Sequence, residues 1–229
     1  MLRTITPENR HRNEDLYEAM MVMRDDVVRN LWNWRVPDTT PGDDRDRFDR
    51  PDTIYLLYTD EDLGGEGRIL ATTRLNPTVE DHMLTSVFRR NVEPGREVRE
   101  STAFEWSRYI VDHRHPEFRK AMGRLGVCLT EACVAAGVRK LTWLATMPAY
   151  GMAKKTWPTM SMGLPVHYED DDQDYVAAVS EMTTEAADTI SARHGFTDGD
   201  RERFRAAGRP LADALVARME KLRMPVRAA

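Results

Sequence analysis

The sequence predicts an α/β fold, a single three-layer domain in which helices cover both faces of a mixed central sheet. Three observations lead to this prediction. Short stretches rich in β-branched and aromatic residues alternate with longer helical patterns. One strand–helix–strand unit has the length of a parallel pair with a right-handed crossover. No internal repeat and no low-complexity linker interrupts the 229 residues, so we expect residues 1–229 to form one domain.

The elements of this domain follow from local patterns. An apolar stripe that runs from Leu16 to Trp34 at helical spacing predicts the first helix, and the Pro-, Gly- and Asp-rich residues 36–51 predict a long loop. Strands are then predicted at 54–58, 68–75, 104–111, 140–146, 166–169 and 175–181, and further helices at 117–137, 149–157, 183–194 and 200–223. Residues 196–229 are interpreted as a C-terminal helical extension of the domain.

Composition excludes several classes of function. The net charge is −5 and the pI is about 5.7, so we expect no general binding of nucleic-acid phosphates. No apolar run is long enough to span a bilayer, and the N-terminal residues lack the apolar segment of a secretory signal, so no membrane partner and a cytoplasmic location are expected. Cys128 and Cys133 lie five positions apart on one predicted helix, which points them in different directions and predicts reduced thiols.

The predicted strand at 104–111 reads FEWSRYIV and contains two charged residues, Glu105 and Arg108. Charged side chains are rarely buried without partners. In a regular strand these two would point to opposite faces, because side chains alternate and their separation is odd. A β-bulge would bring them to one side, and bulges are frequent beside active sites. The pair therefore indicates either a structural ion pair or one wall of a site for a charged substrate.

Several motifs occur in a defined order along the chain. Arg24 is followed by Trp34 ten residues later, then by DRFD with Asp46 and Asp49, by GRILATTRL, and by EWSRY. Over about residues 15–165 this order resembles the acyl-homoserine lactone synthases of bacterial quorum sensing. The resemblance implies an acetyltransferase-like (GNAT-like) fold. It also implies an enzyme that joins an acyl group to S-adenosylmethionine and releases an acyl-homoserine lactone and methylthioadenosine.

The residue types suit this chemistry. S-adenosylmethionine carries a carboxylate, an amine and a sulfonium, which call for arginine, for carboxylates and for an aromatic face. Glu105 is the candidate base for the amine. The resemblance assigns catalysis to Glu105, Arg108, Asp46 and Asp49, and binding of S-adenosylmethionine to Arg24, Trp34, Arg68 and Phe104. Taken singly, Arg24 and Arg68 are each more typical of an ordinary structural ion pair at the surface than of a binding site. Which arginine meets the substrate carboxylate stays open.

The acyl donor is either an acyl carrier protein or acyl coenzyme A. No permanently bound cofactor and no metal are expected. The resemblance assigns the donor side to a hydroxyl at Thr142 or Thr146, to Met147 and Met152 as candidate walls of an acyl tunnel, and to Lys154 and Lys155 as a basic docking helix. At the position of the family's usual Phe the chain has Val28, which would widen the pocket or transfer the aromatic role to Trp32.

Two other functions compete with this interpretation. A small-amine N-acyltransferase of the same fold would use acyl coenzyme A and would need a phosphate-binding segment before its central helix, which RKAMGRLG matches poorly. A non-catalytic relative would bind S-adenosylmethionine or a lactone without turnover. Formation of methylthioadenosine together with a lactone distinguishes the synthase from both.

Overall fold

A computed structural model describes residues 1–32, 40–170 and 172–223, and it is organised around an eight-stranded mixed sheet. The strand order is β1-β2-β3-β4-β5-β8-β6, with β7 also paired to β8. All neighbours are antiparallel except β4 and β5, which are parallel. The strands are β1 Leu2–Ile5, β2 Ile54–Thr59, β3 Ile69–Pro77, β4 Ala103–Val111, β5 Lys140–Thr146, β6 Thr159–Ser161, β7 Val166–Tyr168 and β8 Gln173–Glu181.

Helices cover both faces of the sheet. They are α1 Glu14–Asp25, which continues into a π-helical turn Asp26–Leu31, α2 Phe118–Ala136, α3 Met147–Ala153, α4 Thr184–His194 and α5 Asp198–Arg223. On one face α2 packs against the central strands, and α4 and α5 pack against α2. On the other face α1 packs against β3. The α/β prediction, with its mixed sheet and its parallel β4-α2-β5 unit, is therefore confirmed.

The side-chain alternation of β2 explains why two helical layers form. Leu56 and Tyr58 point into the main apolar cluster beneath α2, whereas Tyr55 and Leu57 join Tyr17 of α1 in a second cluster. Because both faces are covered, every residue of β2 is buried. Two strands, β1 and β6, were not predicted. Each is only three or four residues long, which is too short to show an alternation of apolar and polar residues.

The two parallel strands separate partway along their length. Ala103–Glu105 of β4 pair with residues 140–142 of β5, and the pairing ends there. Beyond that point β4 stays paired to β3 and β5 to β8. Glu105 and its register partner Thr142 therefore lie at the apex of a fork in the sheet. No helix in the described part of the chain is both long enough and apolar enough to cross a membrane.

Candidate active site

A β-bulge in β4 determines the direction of Arg108. Thr72 of β3 lies opposite Ile110 and Arg74 lies opposite Ser107, so two residues of β4 face Thr73 alone. Arg108 adopts φ +54°, the left-handed region that a non-glycine residue occupies at a cost. The bulge that would bring Glu105 and Arg108 to a common site is present. Strain at this position is typical of functional sites.

Arg108 is one of three arginines that alternate with three aspartates in a closed ring. Arg24 pairs with Asp44 at 2.7 Å and with Asp49 at 2.8 Å. Arg108 pairs with Asp44 at 2.8 Å and with Asp46 at 2.9 Å. Arg74 closes the ring through Asp46 at 2.6 Å and Asp49 at 2.9 Å. Each charge therefore has two partners of opposite sign, and the ring has no net charge. We call these six residues the charge ring.

The loop that carries the three aspartates is held against α1. Asp25, next to Arg24, accepts a hydrogen bond from the backbone N–H of Gly42 at 2.7 Å. Arg45 of the loop pairs with Glu18, which lies about two turns before Asp25 on α1. Behind the ring, the Tyr55 hydroxyl donates to Asp49 at 2.9 Å. These contacts orient the carboxylates before any substrate arrives, which is the preorganisation that a binding site needs.

Electrostatics within the ring are strong because water is excluded. Burial alone raises the pKa of Asp49, but the adjacent Arg24 and Arg74 guanidinium groups outweigh burial and hold this pKa far below its usual value. For Arg108 the balance is reversed, since burial is the larger effect and lowers the pKa of its guanidinium group. Removing one member of a buried network of this kind leaves an uncompensated charge, which costs about 3–5 kcal/mol.

Glu105 lies beside the ring and is fully buried. Its two carboxylate oxygens accept hydrogen bonds from the backbone N–H groups of Met83 at 3.2 Å and Leu84 at 3.0 Å. The Met83 sulfur in turn accepts a hydrogen bond from Arg74 at 3.3 Å, which connects Glu105 to the ring. Burial is the largest influence on Glu105 and raises its pKa above the ordinary value of 4.5. A carboxylate of raised pKa is a stronger base, so this environment suits proton abstraction.

The sequence-based site residues do not all meet here. Arg24, Asp46, Asp49, Glu105 and Arg108 come together as described. Arg68 lies apart: its side chain is 54% exposed and pairs with Asp112 at the end of β4, because it precedes β3 rather than lying within it.

Phe104 also departs from its predicted place in the site. It is buried in the main cluster beneath α2, since its side chain points to the face opposite that of its neighbour Glu105. Trp34 lies outside the described residues.

Two members of the ring were missed in the sequence. Arg74 is the one charged residue of β3, and every residue of that strand is buried. A charged residue inside a buried strand needs partners, and this argument, which identified Glu105 and Arg108, applies equally to Arg74. In GRILATTRL the site residue is therefore the second arginine, Arg74, and not the first, Arg68. Asp44 gave no such signal, because it is one of several aspartates in a charged loop and only the fold selects it.

The residues assigned to the acyl donor separate into two groups. Thr142 is fully buried at the apex of the fork, and its hydroxyl has no hydrogen-bond partner among the described residues. Thr146 ends β5 and precedes α3. Met147 and Met152 are 40% and 60% exposed on α3, so neither forms the wall of an enclosed tunnel. Lys154 and Lys155 are exposed just beyond the end of that helix.

An apolar cluster on the Glu105 face was not predicted as a unit. It brings together the loop of the charge ring, the segment that binds Glu105, and the β5-β8 half of the sheet. Its buried members are Phe48, Met83, Leu84, Phe88, Val92, Met162 and Ala177. Val28 contributes to a separate small cluster with Val27 and Ile110, while Trp32 is partly exposed near His113. Among the described residues no group of His, Cys, Asp and Glu could hold a metal ion.

Known proteins match both the sequence and the fold. The family model described as autoinducer synthase matches residues 8–136. The isovaleryl-homoserine lactone synthase of Bradyrhizobium diazoefficiens is 26% identical over an alignment of 204 residues, which covers 86% of this chain and 86% of the relative. The solved structure of the CoA-dependent acyl-homoserine lactone synthase BjaI, with S-adenosylmethionine and isopentyl-CoA, is 25% identical at a TM-score of 0.70 and covers 90% of this chain and 99% of its own.

A second solved structure supports the fold alone. The CoA-dependent acyl-homoserine lactone synthase MesI has a TM-score of 0.73 at 23% identity and covers 86% of this chain and 96% of its own. The matches to sequence and structure extend over most of the chain, and the family model alone covers more than half of it. The chain belongs to the autoinducer synthase family, as the order of its motifs indicates.

Proposed function

We propose that this protein joins an acyl group from an acyl thioester to the amine of S-adenosylmethionine and then closes the lactone. The observation that carries the proposal is the position of Glu105. This buried carboxylate of raised pKa lies between a ring of paired charges on one side and, on the other, an apolar cluster and the Thr142 hydroxyl, which has no partner in the described part of the chain. An amino-acid headgroup fits the first environment and an acyl chain fits the second.

Acyl transfer begins at the amine. Glu105 takes a proton from the ammonium of S-adenosylmethionine, directly or through one water, and the free amine attacks the thioester carbonyl. The new C–N bond forms as the C–S bond breaks. The nitrogen then gives its second proton to the departing thiolate, which leaves as a thiol, and the first proton passes from Glu105 to solvent. The Thr142 hydroxyl lies at the apex of the fork and has no hydrogen-bond partner within residues 1–32, 40–170 and 172–223, so it is the candidate donor to an oxygen of the acyl group. Thr146 has no comparable position.

Lactone formation needs little further chemistry from the protein. One oxygen of the substrate carboxylate attacks the γ-carbon of its own chain, and the C–S bond of the sulfonium breaks to release neutral methylthioadenosine. Holding carboxylate and γ-carbon in contact supplies most of the acceleration, because the reaction is intramolecular and its leaving group is already cationic. The charge ring would fix the carboxylate end of the substrate.

For the acyl donor we propose a coenzyme A thioester. The related BjaI was solved with isopentyl-CoA, and the acyl chain of the donor here would occupy the apolar cluster around Met83 and Met162. An acyl carrier protein is the alternative, and the exposed Lys154 and Lys155 are the observation that favours it.

The test is an incubation of purified protein with S-adenosylmethionine and a series of acyl thioesters on coenzyme A and on acyl carrier protein. Mass spectrometry then quantifies lactone and methylthioadenosine. Equal amounts of both products with a coenzyme A donor support the proposal. Acyl transfer without methylthioadenosine would support a small-amine acyltransferase instead, and binding without any product would support a non-catalytic role.

A further inference from the structure

One arginine of α5 reaches the segments that surround the candidate active site. Arg218 lies on the buried face of this helix, in line with Leu211 and Leu215, which pack into the main apolar cluster. Its side chain is only 9% exposed. An arginine that is buried to this extent requires partners of opposite charge.

The partners of Arg218 form a second, smaller cycle of charges. One of its nitrogens, Nη2, contacts both Asp52 and Glu80, the latter at 2.5 Å. Arg50 bridges the same two carboxylates, with N–O distances of 3.4 Å to Asp52 and 2.8 Å to Glu80. Each charge has two partners of opposite sign, so the cycle is neutral. We call these four residues the α5 anchor.

The α5 anchor holds one end of the loop that carries the aspartates of the charge ring. Asp49 is the residue before Arg50, and Asp46 lies three residues earlier. The backbone N–H of Arg50 donates to the Thr53 hydroxyl at 3.0 Å, and this hydroxyl lies 2.9 Å from the carbonyl oxygen of Phe48. A shift of Arg50 would therefore move the backbone between the two carboxylates of the ring.

The α5 anchor also holds the segment that binds Glu105. Arg50 donates from Nη1 to the backbone carbonyl of Asp81 at 2.8 Å. Two and three residues further along, the backbone N–H groups of Met83 and Leu84 donate to the Glu105 carboxylate. A short stretch of backbone therefore connects the anchor to the candidate base.

We propose that Arg218 is a positioning residue for the reaction, because it joins the loop of the charge ring to the segment that binds Glu105. This role rests on the proposed function and extends the site to α5. Arg218 acts through Asp52 and Glu80 and is not itself a catalytic residue. Since misplacing a catalytic group by about 1 Å can lower a rate by about 100-fold, an anchor outside the site can control turnover.

Two substitutions of Arg218 separate its charge from its packing. Arg218→Met removes the charge and keeps an apolar side chain. Arg218→Lys restores one charged nitrogen, which can contact both carboxylates as Nη2 does.

The matched control is Arg201→Met. Arg201 also lies on α5, is 14% exposed and bridges two carboxylates, Glu131 at 2.6 Å and Asp188 at 2.5 Å. These partners belong to α2 and α4 instead of the segments around Glu105. Thermal unfolding of all variants identifies any loss of stability that the two methionine variants share.

Hydrogen–deuterium exchange read by mass spectrometry tests the anchoring without depending on turnover. In Arg218→Met, the amides of residues 46–53 and 80–85 should exchange about 10-fold faster than in wild type, and in Arg201→Met they should be unchanged. Formation of methylthioadenosine then gives kcat. It should fall about 10-fold or more in Arg218→Met, stay within about 3-fold of wild type in Arg218→Lys, and be unaffected in Arg201→Met.

Unchanged exchange in Arg218→Met, or an equal fall of kcat in Arg201→Met, would overturn the inference. Faster exchange with a wild-type kcat would overturn it as well, because loosening the two segments would then not affect the base. If wild type forms no product from any thioester, the proposed function fails, while exchange alone shows whether Arg218 holds the two segments.

Should Arg218→Met fail to fold, Glu80→Gln takes its place. This variant weakens the contact of the anchor with the segment that binds Glu105 and leaves Arg218 paired with Asp52. A fall of kcat by about 10-fold supports the positioning role, and a wild-type kcat overturns it.

Discussion

The two sides of Glu105 differ in how completely their polar groups are paired. On the side of the charge ring, almost every donor and acceptor has a partner, and the loop of the aspartates is fixed to α1. Around the fork between β4 and β5, the buried Thr142 hydroxyl has no partner among the described residues, and α3 exposes Met147 and Met152.

This difference indicates two modes of substrate binding. Buried polar groups without partners are costly, so they persist where a ligand completes them. Under the proposed function, the ring side is ordered before S-adenosylmethionine binds, whereas the Thr142 hydroxyl gains a partner only when the acyl thioester is present. Substitutions on the ring side should therefore affect folding as well as catalysis, and substitutions on the donor side should affect the choice of donor.

The largest effect is expected at the boundary between the two sides. Glu105→Gln removes the base and should lower kcat by about 100-fold to 10,000-fold. Stability should fall by no more than about 1–3 kcal/mol, because the amide nitrogen of glutamine cannot accept one of the two backbone N–H bonds from Met83 and Leu84. Part of this loss is offset, because burial raises the pKa of Glu105 and its ionisation destabilises the fold as the pH rises above the unfolded value of 4.5. Steady-state kinetics and urea unfolding measure the two quantities. A variant that does not fold would favour a structural role for Glu105.

The same pKa makes a prediction for wild type. Only the ionised form of Glu105 accepts a proton, so kcat/KM should fall as the pH decreases through a value above 4.5. An acid limb at the ordinary glutamate value or below would contradict the assignment.

On the ring side, Asp49→Asn should destabilise the protein by about 3–5 kcal/mol, because Arg24 and Arg74 are left buried with an uncompensated charge. Urea unfolding at neutral pH measures this. The control is Asp43→Asn, whose partly exposed carboxylate lies in the same loop but pairs with Arg45 outside the ring, and it should lose less than about 1 kcal/mol.

The pH dependence of that difference checks its origin. The folded-state pKa of Asp49 is depressed, so its contribution is present above the unfolded value of 3.8 and is lost as the pH falls below it. The difference in the free energy of unfolding between wild type and Asp49→Asn should therefore be constant near neutral pH and become smaller in acid. A gap that does not depend on pH would indicate a packing effect instead of charge.

The contrast between the two sides also explains what the sequence could predict. Most strands and helices follow from periodicity, and the β-bulge follows from an odd spacing of charges in one strand. Arg74 could have been predicted as a site residue in the same way, because an arginine inside a buried strand requires partners. Asp44 was not, because closure of the ring depends on where three segments meet. On the donor side, exposure of Met147 and Met152 depends on how α3 lies, which helical spacing does not determine.

On the donor side, Thr142→Val should change selectivity by about 10-fold and leave stability the same or higher. Valine has the shape of threonine without the buried hydroxyl that lacks a partner. The ratio of kcat/KM for a 3-oxoacyl thioester to that for the saturated thioester of equal length measures the effect. Thr146→Val is the matched control. An equal change of this ratio in both variants would show that Thr142 has no special role in selectivity.

The smallest effect is expected at the surface beyond α3. If coenzyme A is the donor, Lys154→Ala and Lys155→Ala should each raise the KM for acyl-CoA by less than about 5-fold, because exposed charges contribute at most about 1 kcal/mol. Arg209→Ala, an exposed cation on α5, is the control. A sharper comparison repeats the measurement with an acyl carrier protein as donor. A loss of about 10-fold or more in kcat/KM that occurs only with this donor, and that becomes smaller when salt is added, would identify these lysines as a docking surface. It would also contradict the coenzyme A proposal.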